Sequence, residues 1–151
     1  MAHRYLGLLA ITISCLILFH TKHLEASKDH HKHHHDHHDK TIEVGKGTKP
    51  ITLKVNKIED NMDGWNIQIE TVNFVFSPTN AGGKHVEGEG HAHLYINGKK
   101  EARLYGSWFH LSSKLLKKGK NKVTISLHAN SHEQLTVNGN PLKKTFNLDL
   151  K

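Results

Sequence analysis

The chain has 151 residues, room for a single domain once a leader is set aside. Its formal charge is +7 with sixteen histidines counted neutral, so acid makes it far more basic as imidazoles titrate near about pH 6.5. Scattered lysines with no Arg-rich helix or recognised motif argue against nucleic acid. The single cysteine, Cys15, sits near the N-terminus, which removes disulfides, a thiol nucleophile and thiolate ligation from the rest of the chain.

His3 and Arg4 give a weakly basic start, and Leu6 to Phe19 (LGLLAITISCLILF) is an uncharged apolar run too short to span a bilayer comfortably. Residues 1–26 therefore read as a signal peptide cleaved after Ala26. Leu24 fits poorly before such a cleavage site, so an uncleaved membrane anchor is the alternative. Either reading makes the protein secreted or periplasmic, with membrane contact only through an uncleaved leader.

Residues 27–40 form a second region. Within it Lys28 to Lys40 reads KDHHKHHHDHHDK and carries seven imidazoles, His30, His31, His33, His34, His35, His37 and His38, with Asp29, Asp36 and Asp39 between them. Nothing apolar is present to offset the entropy of ordering, so the segment is expected to be disordered. Imidazoles at this density capture Cu(II), Ni(II) or Zn(II) in many equivalent ways, in preference to Mg(II) or Ca(II). An expression tag would not be interrupted by Lys32 and Asp36, nor lie after a leader. A solvated linker would need no histidines.

The remainder, 41–151, alternates in the manner of strands. Ile51, Leu53, Val55 and Ile58 suggest one half-buried strand with a slip of register, closed by the polar turn Glu59 to Gly64. Trp65, Ile67 and Ile69 share a face of the next, and after Val72 the alternation resumes at Phe74 and Phe76. Ser77-Pro78 and Ala81-Gly82-Gly83 mark a loop. His93 to Asn97, the turn at Gly98-Lys99, and Glu101 to Tyr105 give the clearest hairpin. Val123 to Leu127, Gln134 to Val137 and Phe146 to Leu150 complete the set. No segment keeps a 3.6-residue apolar period over three turns. About seven short strands separated by turn residues predict an all-β sandwich, with Trp65, Trp108, Phe74 and Phe76 in its core.

The chemistry concentrates between Glu87 and Leu111 (EGEGHAHLYINGKKEARLYGSWFHL). His91 and His93 are two apart, so on a strand both rings project from one face and can share an ion. Trp108 and His110 have the same relation, and His128, Asn130 and His132 keep one parity if their strand extends that far. His85 lies in the glycine-flanked loop before His91. A three- or four-imidazole site built from these residues is geometrically feasible, and neutral imidazole suits zinc and copper. Glu87, Glu89 and Glu133 are nearby acceptors for the second ring nitrogens. Any one of these histidines taken alone is more simply a hydrogen-bonding strand residue.

The block also resembles a family of mostly uncharacterised secreted bacterial proteins that share Gly-His-x-His-Leu-Tyr followed by Arg-Leu-Tyr-Gly-x-Trp-Phe-His-Leu. The likeness runs from about Trp65 to Pro141 and takes in Phe74-x-Phe76-x-Pro78 and Asn130-x-His132. It implies an immunoglobulin- or cupredoxin-like sandwich and a histidine site. A blue-copper electron carrier would need a cysteine ligand, and downstream of Cys15 there is none.

These readings favour a non-catalytic exported protein that stores, buffers or delivers copper or zinc. Its expected partners are the metal ions themselves and an envelope metal transporter or metalloprotein. Two alternatives stay open. A small metal-dependent hydrolase would use three imidazoles and an open position to activate water, with Glu89 as its base. An adhesion or ligand-binding sandwich would keep the histidines structural.

Overall fold

A computed structural model describes residues 40–47 and 49–151. The leader and the seven histidines of the run that ends at Lys40 lie outside the described residues. What is described is all-β: two sheets packed face to face as a sandwich.

The smaller sheet has the order β2-β3-β7, from Thr52–Glu59, Trp65–Val72 and Trp108–Leu111. The larger is built around the antiparallel pair β5 (Glu89–Ile96) and β8 (Gly119–Ala129). Along the free edge of β5 run β4 (Val75–Phe76), parallel, and β6 (Lys99–Leu104), antiparallel. Along the free edge of β8 run β11 (Lys143–Leu150) and β9 (Gln134–Val137), and β9 in turn pairs with β1 (Thr41–Glu43) and β10 (Asn140–Pro141).

Period-two alternation determines what each strand buries. Ala92, Leu94 and Ile96 of β5 meet Val123, Ile125, Leu127 and Ala129 of β8 on the inner face, and Leu53, Ile67, Ile69 and Leu111 close over them from the smaller sheet. These residues form one cluster with Leu135, Leu148 and Phe74. Phe74 meets Phe76 edge to face at 5.5 Å, and Trp65 packs against the cluster from its border.

One expected core residue, Trp108, and one residue of the expected half-buried alternation, Ile58, do not face the core. Trp108 is 52% exposed, because in β7 the alternate residues Phe109 and Leu111 take the inner face. Ile58 is also 52% exposed: it lies out of phase with Leu53 and Val55, and the inward position beside it is held by Lys57, which reaches the Asn147 carbonyl at 2.9 Å.

The β5–β6 hairpin turns at Asn97-Gly98, both with positive φ (52° and 89°), as a two-residue type I′ connection requires. Asn97 accepts from the Lys122 amide at 3.0 Å, and its amide donates to the fully buried Asn121 at 3.0 Å. Asn121 also donates to the Lys117 and Gly119 carbonyls at 2.7 and 2.9 Å. One buried amide therefore ties the entry of β8 to the hairpin that carries the histidine strand.

Candidate metal centre

The inner-face parity of Ala92, Leu94 and Ile96 sends His91, His93 and Tyr95 to the outer face of the larger sheet. Across the ladder the same face of β8 carries His128 opposite His91, Ser126 opposite His93 and Thr124 opposite Tyr95. An outer sheet face is ordinarily solvated. Here His91 is 0% exposed and His93 4% exposed.

Part of the cover comes from the turn after β8. The strand ends at Ala129, and His132 adopts φ 81°, in the left-handed region, with its amide donating to the Ala129 carbonyl at 2.9 Å. The fold-back lays the His132 ring over His91, with centroids 4.8 Å apart. Tyr105 approaches His91 at 5.7 Å. His132 thus reaches the site by a strained turn, where strand parity had been the expected route.

His91 Nε2 and His93 Nε2 lie 2.9 Å apart. The ring nitrogens offered by His91, His93 and His132 are all within 4.8 Å of one another. Adjacent ligands on a tetrahedral ion with bonds of about 2 Å stand about 3.3 Å apart, so the first pair is nearly at bonding spacing and a small inward shift of the third ring completes the triad. His91 Nδ1 is buried with no hydrogen-bond partner among the described residues, which is costly for a polar atom of either tautomer. Three converging imidazoles could hold a borderline divalent ion.

The electrostatics keep His91 and His93 in the form that ligates. Burial is the main cause that pushes His91 down to about 3, followed by the nearby His132 and His128. Burial again leads in holding His93 well below the usual imidazole range, with His128 and Lys100 adding to it. Neutral imidazole is the metal ligand.

His128 takes a supporting position. Its Nε2 meets Ser126 Oγ at 2.9 Å, its Nδ1 meets the His132 carbonyl at 3.1 Å, and its ring stacks on His93 at 3.8 Å. With both nitrogens engaged it orients its neighbours, and it anchors the turn that carries His132.

The structure does not bring the other candidates to this centre. His110 is on the outer face of the smaller sheet, across from Asn66, with its ring nitrogens 3.9 Å from Asp60 and 3.7 Å from Asp63. It lies on the far side of the sandwich because the chain crosses to the other sheet between β6 and β7. His85 sits beside Glu87 at 3.5 Å in the loop before β5. Glu87 caps the Gly45 amide at 2.9 Å. Glu89, the base that a hydrolase would need, accepts from Asn80 at 2.8 Å, and that bond is the first cause holding its carboxyl below the usual range.

Tyr95, Tyr105, Ser126 and Lys100 of the site were not among the expected residues. Tyr95, whose hydroxyl is 3.4 Å from His93 Nδ1, has the same parity as His91 and His93, so the alternation that paired the histidines also pointed to it. Ser126 follows once β8 is set against β5. Lys100, whose Nζ is 3.0 Å from His93 Nε2, had no signal, because a register shift brings it there. Lys40, the last residue of the histidine-rich run, shares a pocket of about 110 Å3 with Ser131, His132 and Glu133, and its carbonyl accepts from the Gln134 amide at 3.1 Å.

No protein-family model, curated protein or solved structure matches this chain. The functional reading therefore rests on the geometry of the site.

Proposed function

We propose that this is an exported, non-catalytic metal-binding protein that holds copper or zinc on the outer face of its sandwich, for storage, buffering or delivery in the cell envelope. The observation that carries the reading is the convergence of His91, His93 and His132 in a place where strand parity alone would leave rings in solvent. Imidazole-only ligation favours zinc and copper over magnesium or calcium. Burial supports retention: it keeps the His91 and His93 rings neutral, and competing water is partly displaced. The histidine-rich run before Lys40 adds unselective capacity, and the leader-like N-terminus supports export. The resemblance of the Gly90 to Leu111 block to secreted bacterial proteins points the same way.

The test separates the folded site from the run. In the full chain with the seven histidines between residues 28 and 40 replaced by asparagine, titration with Cu2+ or Zn2+ is expected to give one ion per chain. Adding His91→Ala with His93→Ala, or His132→Ala alone, is expected to abolish it, with circular dichroism reporting the fold. A chain lacking the run's histidines that binds no ion, or a triad variant that keeps its ion, would overturn the reading.

A further inference from the structure

The surroundings of His91 and His93 carry positive charge. Among the described residues their hydrogen-bond and ring contacts are each other, His128, His132, Tyr95, Tyr105 and Lys100, and none of these is an acid; the carboxylate next to His132 in the chain, Glu133, shares a pocket with His132 and Lys40. The hairpin produces this by a specific device. Arg103 stands opposite His93 and Ala102 opposite Leu94, but the register then shifts and Tyr95 faces Lys100, leaving Glu101 unpaired in a bulge. In an unbroken ladder Glu101 would be the next residue after Arg103 on the imidazole face. The bulge takes that place from a carboxylate and gives it to Lys100, whose Nζ then lies 3.0 Å from His93 Nε2. Displaced from the face, Glu101 pairs with Lys99 at 3.0 Å.

A divalent ion on three neutral imidazoles would bring two more positive charges to this place and would still have an open fourth position. Both demands are met by one kind of group. Resting on the metal reading above, we propose that His91, His93, His132 and Lys100 form a composite site for a metal ion together with a small bridging oxyanion, a carboxylate or phosphate group. One oxygen takes the ion's fourth position, and another accepts a hydrogen bond from Lys100 Nζ. Arg103, across the ladder from His93, adds attraction for the anion at the rim. Metal and anion then raise each other's affinity by the same factor, as linkage requires.

Co2+ serves as a coloured stand-in for zinc in the full chain whose run histidines are asparagine. It is titrated in a non-coordinating buffer with acetate, phosphate or chloride at equal ionic strength. Acetate or phosphate, but not chloride, is expected to change the ligand-field bands and tighten Co2+ binding by about tenfold, within the usual range of coupling; the better of the two names the source of the oxyanion. Lys100→Met is expected to bind Co2+ alone at least as tightly as the parent and to lose the anion effect, while Lys100→Arg keeps it in part. An equal response to chloride, no anion response in the parent, or an anion response that survives Lys100→Met would overturn the proposal. So would a folded Lys100→Met chain that binds no Co2+, since the amine itself would then be a ligand. A parent that binds no Co2+ under any condition would instead remove the metal reading on which the proposal stands.

Discussion

His93 and His128 stack at 3.8 Å between ring centroids with an interplanar angle of 26°. Two imidazolium rings would repel at that spacing beneath the cover of the turn, and His128 is one of the causes that hold His93 below the usual imidazole range, after burial. The sign of the resulting pH dependence is fixed. The folded pKa of His91 lies at about 3 and that of His93 is also depressed, whereas in the unfolded chain each titrates near about 6.5. Between those limits the unfolded state binds more protons. The stability these rings contribute is present above about pH 6.5 and falls as the pH drops toward the folded values. Denaturant unfolding between pH 7 and pH 4 is expected to show this decline, and His93→Phe is expected to flatten it. An unchanged slope in that variant would refute the assignment.

His128 and His132 are expected to separate in a metal titration. His132→Ala removes a ligand and the ion with it. His128→Asn leaves all three ligand nitrogens in place but loosens their support, a change that typically weakens metal affinity by about 10–100-fold without altering stoichiometry. His110→Ala, on the opposite face of the sandwich, is expected to change neither. Calorimetry on the chain without the run's histidines checks all three.

Gly90 is a packing requirement of the site. A Cβ there would fall onto the His128 carbonyl oxygen, with the Phe74 ring at 3.2 Å on its other side. Gly90→Ala is expected to cost about 1–3 kcal/mol, as overpacking usually does, and to lower metal affinity by forcing β5 away from β8. Gly106→Ala, where a Cβ would meet nothing within 4 Å, serves as the control in thermal unfolding.

Asn121→Ala is expected to destabilise the fold by about 1–3 kcal/mol, because it empties the place of a fully buried side chain and leaves the Lys117 and Gly119 carbonyls without their donor in a partly buried place. The metal stoichiometry of the variant should be unchanged at temperatures where it remains folded. Urea unfolding at neutral pH measures the loss.

Much of the sandwich was legible because most strands bury one face, and one-sided burial writes itself as alternation. The β5–β6 hairpin and the shared face of His91 and His93 followed from the same period, although the turn sits at Asn97-Gly98, one residue before the expected Gly98-Lys99. The rest was hidden where the chain leaves that period. His110 keeps a strand's parity, but parity does not say which sheet a strand joins. His132 enters through a left-handed residue, and Lys100 through a bulge, and neither leaves a trace in the spacing of apolar residues. The short strands β1, β4 and β10 are too brief to show a period, and they contribute to the eleven strands found among the described residues where about seven were expected. Trp108 was assigned to the core on size and hydrophobicity and Ile58 to an alternation with a slip of register, and in both cases the alternate residue holds the inward position.

β1 runs parallel to β9, with Thr41 beside Gln134, and this fixes where the preceding chain departs from the domain. Lys40 leaves next to His132. His38 is two residues further out, and two residues span at most about 7 Å. On the metal reading proposed above, passage of an ion from the end of the histidine-rich run to the folded nitrogens would be an intramolecular event, its rate favoured by proximity and its equilibrium fixed by the ratio of the two affinities. Grafting the same run after Lys151 would preserve every ligand in the protein and forfeit that proximity.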